Sequence, residues 1–71
     1  MHFNSSMFQI DPTPRRADGE FMAHAKISCR REGLGQQDIH DSGDLGGFDM
    51  REDAVRFATH WAMEWLERRY G

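Results

Sequence analysis

Seventy-one residues make one small domain, and a formal charge of −3 is a poor match for a nucleic-acid-binding surface. The only cysteine is Cys29, which excludes an intrachain disulfide and argues against a disulfide-built secreted fold. Ordering the chain costs on the order of 100 kcal/mol at roughly 1.5 kcal/mol per residue, so the few large apolar side chains are committed to a core and leave little to line a catalytic cavity.

Residues 1–6 carry no basic segment followed by an apolar one, so they do not read as a signal peptide and are expected to be a loose end. No apolar run approaches membrane-spanning length, and the expected location is the cytoplasm. A single domain is expected over residues 7–71.

The stretch 20–31 alternates with a period of two. Phe21, Ala23, Ala25, Ile27 and Cys29 point one way, and Met22, His24, Lys26, Ser28 and Arg30 the other. Asp18-Gly19 just before it is a preferred two-residue hairpin loop, because a type I′ turn needs positive φ at both central positions. That turn fixes a register in which Ala17 faces Glu20, Arg15 faces Met22, Asp11 faces Lys26, Ile10 faces Ile27 and Phe8 faces Cys29. Phe8 and Ile10 then share the apolar face of strand two, and a one-residue slip would lose the match. Pro12 and Pro14 fall on non-hydrogen-bonded positions, where proline is tolerated on an edge strand. A long first strand over 7–16 at the sheet edge is therefore expected, the alternative being that Asp11-Pro12-Thr13-Pro14 is simply a loop.

Gly33 and Gly35 mark a loop after strand two. Residues 38–42 form a short third strand with Ile39 inward. Gly43, Gly46 and Gly47 punctuate a connection in which Leu45 and Phe48 plug the junction between sheet and helix. Asp49 to Glu52 fits a capping box, which starts a helix over 50–69. Its apolar arc holds Met50, Ala54, Val55, Phe57, Ala58, Trp61, Ala62, Trp65 and Leu66. Small Ala23 and Ala25 on the sheet are expected to lie under bulky Trp61 and Trp65, which makes both tryptophans core.

Few constellations suggest chemistry. His24 and Cys29 lie on opposite faces of one strand and lack the paired ligand spacing of a zinc site. Asp38, Asp41 and Asp44 around Gly43 do not follow the order of a calcium-binding loop. Cys29 points inward beside Phe8 and Ile27 and reads as a buried structural thiol. The glycine-rich 43–47 segment is acidic, which repels phosphate. No catalytic set, metal or cofactor is expected. The outer sheet face offers Arg15, His24, Lys26 and Arg30, with His40 nearby, as candidate binding residues. It has no aromatic side chain on which a base could stack, and Asp11 and Asp38 dilute its charge. The edge of strand three is open to pairing with another chain.

The tail Gly46-Gly47-Phe48-Asp49-Met50-Arg51-Glu52-Asp53-Ala54, continuing through Trp61-Ala62 and Trp65-Leu66, resembles the endings of small uncharacterised proteobacterial proteins with a β-β-β-α plan. The resemblance covers about the second half of the chain. It implies a fold and a bacterial origin, and it carries over no functional residue.

These readings converge on an α+β fold: a three-stranded antiparallel meander, strand two central, covered on one face by a single C-terminal helix. The functional expectation is a non-enzymatic module that binds a protein partner or itself. The alternative is weak nucleic-acid binding through the outer sheet face.

Overall fold

The computed structural model describes residues 7–31, 33 and 35–71, so the expected loose end at 1–6 lies outside the described residues. The chain is α+β, but its strands do not form one three-stranded sheet. Six strands build two small antiparallel sheets, and one helix follows. The strands are β1 (Phe8–Asp11), β2 (Arg15–Ala17), β3 (Glu20–Ala23), β4 (Lys26–Arg31), β5 (Gly35–Asp41) and β6 (Gly46–Phe48), and the helix is α1 (Arg51–Tyr70). The sheet orders are β1-β4-β5 and β2-β3-β6.

Each arm of the expected meander is thus broken once. The break in the first arm falls at Pro12-Thr13-Pro14, whose two prolines cannot donate to a ladder. The expected first strand over 7–16 becomes β1 and β2, and the second over 20–31 becomes β3 and β4. The hairpin register is nevertheless the expected one on both sides of the break. Phe8 pairs with Cys29, Ile10 with Ile27, Asp11 with Lys26, Arg15 with Met22 and Ala17 with Glu20. No residue is inserted between the two ladders. The turn has positive φ at Asp18 (52°) and Gly19 (78°), as a type I′ turn requires. The middle arm supplies the central strand of both sheets.

The third arm departs further from the sequence reading. The strand expected over 38–42 begins earlier, as β5, and what was expected to be a plain connection contains β6. Between β5 and β6, residues 42–45 loop out opposite His24. The gap stays closed through hydrogen bonds: Ser42 N donates to Ala25 O (2.9 Å), and Leu45 N donates to Ala23 O (2.8 Å). Ala25 N in turn donates to the Ser42 hydroxyl at 2.9 Å, so a side chain stands in for the missing ladder carbonyl. A second irregularity lies inside β5. His40 pairs with Ile27 while Asp38 pairs with Ser28, which leaves Ile39 as an extra, bulged residue.

The helix begins after Met50, not after Asp49. Met50 is extended (φ −113°, ψ 137°) and no side chain caps the first turn, so the expected capping box does not form. Glu52 and Asp53 in the first turn, and Arg68 and Arg69 in the last, still suit the helix dipole. Ala54, Ala58, Ala62 and Leu66 form the buried stripe. They meet Ala23, Ala25 and Ile27, also fully buried. Small therefore packs on small. The helix sits close to the sheet, and the molecule is a slab of 41 × 26 × 16 Å. Trp61 and Trp65 do not fit beneath so close a helix; they lie half-buried at its flank. Leu45 and Phe48 do pack against the core as junction residues.

Candidate interaction surface

The outer sheet face was the expected place for binding. Arg15, His24 and Lys26 do point there, but each faces an aspartate of the third arm. The Arg15 guanidinium grips Asp44 through both Nη2 and Nε, the latter at 3.2 Å. Lys26 Nζ lies 3.1 Å from Asp38 Oδ2. His24 Nε2 lies 2.7 Å from Asp41 Oδ1. The contacts shift the ionisations in the matching directions. The hydrogen bond from Arg15 lowers the pKa of Asp44, and the one to Asp38 raises that of Lys26. Asp41 is lowered by the Gly43 N–H that donates to it and then by His24. The loop between β5 and β6 is thus tied back onto the face that carries the cations. Arg30 stays exposed and makes no ion pair among the described residues.

His40 is not on that face. Alternation along a regular strand would place it outward, opposite to Ile39. The bulge at Ile39 resets the alternation, so His40 stands across from buried Ile27 and turns toward the helix. Its ring stacks on Trp65, with centroids 4.5 Å apart and planes 10° apart. Trp61 flanks it at 5.8 Å and 15°. Of the five candidate residues, Arg15, His24, Lys26 and Arg30 therefore share one face, and His40 belongs to another.

What His40 joins is a seam between α1 and the third arm, lined by rings. At its N-terminal end Phe57 meets Phe48 at 5.4 Å. Trp61, His40 and Trp65 continue it, and Arg69 lies over Trp65 at 5.3 Å. Past the end of the seam, Tyr70 contacts both Trp65 (6.3 Å) and Phe8 (4.8 Å). None of these rings is fully buried, and Phe57 and Met50 are 44% and 54% exposed. A depression of about 370 Å³ sits beside Phe57, walled by Phe48, Asp53, Arg56 and His60. The sequence reading placed Phe57, Trp61 and Trp65 on one apolar arc but assigned the whole arc to the core. The signal available was the stripe Ala54-Ala58-Ala62-Leu66, which is itself a complete i, i+4 contact line.

Cys29 is half-buried, not sealed in the core as expected. With Phe8, Ile39 and Tyr70 it borders a second depression of about 350 Å³. Among the described residues, no three His, Cys, Asp or Glu side chains come together in a way that could hold a metal ion. No helix among them is long and apolar enough to cross a membrane. Compared with known protein families, with curated proteins and with solved structures, the chain matches none of them.

Proposed function

We propose that the chain is a non-enzymatic protein-interaction module of a bacterial cytoplasm. The observation that carries this reading is the ring-lined seam beside α1. Exposed apolar side chains scattered singly are ordinary, but a contiguous row of aromatic rings suggests a contact surface. Tryptophan, phenylalanine and arginine are enriched at protein interfaces, and the seam contains all three. The nucleic-acid alternative has less support. Two of the three cations it relies on, Arg15 and Lys26, are already held by aspartates, which leaves Arg30.

The test compares the wild type with Phe57→Glu as baits in a native bacterial lysate, with light scattering on each protein alone. A partner, or a second copy, held by the wild type and released by the variant supports the reading. A wild-type monomer that retains nothing sinks it. An amide-shift titration with short DNA and RNA at low salt addresses the alternative, which fails if Arg15, Lys26 and Arg30 do not move.

A further inference from the structure

The geometry points to a second copy of this chain as the occupant of the seam, in a two-fold dimer whose α1 helices run antiparallel and cross near Trp61. This rests on the interaction reading above and names the partner.

On the helix, Met50, Asp53, Phe57, Trp61, Glu64 and Arg68 recur every three to four residues, so they lie along one stripe. That stripe borders the seam, since Phe57 touches Phe48 and Trp61 touches His40. Along it Asp53 stands in the first turn and Arg68 in the last, with Glu64 paired to Arg68 one turn before it. Trp61 lies at the middle of a helix that spans Arg51–Tyr70. A two-fold axis near Trp61 therefore sets Asp53 of one copy against Arg68 of the other, twice. It also places the exposed Phe57 of each copy toward the C-terminal half of the other's seam. A parallel arrangement would instead bring acid to acid and base to base. Within each copy Asp53 pairs with Arg56 and Glu64 with Arg68, both at 3.6 Å between largely exposed side chains. Exposed pairs of this kind contribute little, so exchanging them for contacts with another chain costs little.

The helix is ~30 Å long at 1.5 Å per residue and about 10–12 Å across with its side chains. A contact along it is small beside standard interfaces, so the dimer is weak and concentration-dependent. The monomer also has apolar surface to cover. Among the described residues, the largest fully buried side chains are Ile27 and Leu66.

Sedimentation velocity across a wide concentration range tests this on the full chain. The wild type is expected to shift from monomer to dimer, and Phe57→Glu to remain monomeric with an unchanged far-UV spectrum. Asp53→Lys alone and Arg68→Glu alone each set like charges face to face, and each weakens the dimer about tenfold. Mixing the two variants restores it, because both cross-contacts are then between opposite charges, although one copy has lost its Asp53–Arg56 contact and the other its Glu64–Arg68 contact. A wild type that stays monomeric at millimolar concentration overturns the proposal. So does a dimer indifferent to Phe57→Glu, or a mixture no tighter than its components. If the wild type is monomeric yet seam amides shift with a lysate partner, the second copy is wrong and the interaction module stands.

Discussion

His40 lies flat on Trp65, with ring centroids 4.5 Å apart and planes within 10° of parallel. The stack links the third arm of the sheet to the helix, and it exists because a bulge at Ile39 turns His40 inward. His40→Ala removes it and opens one side of Trp61 and Trp65 to water. A stability loss of about 1 kcal/mol is expected from the lost ring contacts. Tryptophan emission should move to longer wavelength, and an unchanged spectrum would contradict the arrangement.

Ser42 holds the gap between β5 and β6 by accepting a hydrogen bond from Ala25 N at 2.9 Å. Ala25 has no exposed surface. Ser42→Ala leaves a buried donor without its partner, at a cost of about 1–3 kcal/mol. Chemical denaturation reads the loss, and hydrogen exchange at the Ala25 amide should accelerate. Equal exchange rates in the two proteins would show that the amide is satisfied otherwise.

Ala58 sits in the middle of the buried helix stripe and faces small residues on the sheet. Ala58→Leu must push the helix off Ala23 and Ala25. Overpacking of this kind costs about 1–3 kcal/mol, although leucine is the more hydrophobic residue. A lower thermal midpoint is expected; a higher one would mean that the layer has room the packing does not show.

Asp11, Asp41 and Asp44 each ionise below the ordinary carboxylate value of 3.8. The causes are hydrogen bonds from Thr13 to Asp11, from Gly43 and His24 to Asp41, and from Arg15 to Asp44. The unfolded chain binds protons first as pH falls. The stability these groups add is therefore complete above the unfolded value and is lost as pH drops through the folded ones. Denaturation midpoints should fall modestly below about pH 4, because these surface carboxylates are screened by solvent. Asp41→Asn should flatten part of that slope. Wild type and variant with the same slope would rule out Asp41 as a contributor.

Much of the local order was legible. The Asp18-Gly19 turn and the alternation from Phe21 to Cys29 together set the hairpin register, because both act between near neighbours and a slip of one residue would expose the apolar set. The break at Pro12-Thr13-Pro14 was half legible: the prolines marked unpaired positions, but not that the ladder would stop across all three arms. The ionic neighbours of the candidate residues were not legible. Arg15 and Lys26 look like free cations in a linear chain, and only the fold brings Asp44 and Asp38 to them. The bulge at Ile39 left no mark in the residue pattern, so alternation placed His40 outward.

The sequence by itself determined the elements whose cause is local: a type I′ turn, an alternating strand, and an amphipathic helix ended by arginines and glycine. Tertiary structure decided which apolar residues became core. The helix has two apolar lines to offer, alanines with Leu66 or aromatics with Met50. Both fit its periodicity. The sheet chose the first, because Ala23 and Ala25 leave a shallow floor onto which only small side chains let the helix close. Phe57, Trp61 and Trp65 were thereby left at the flank, where they remain half in water.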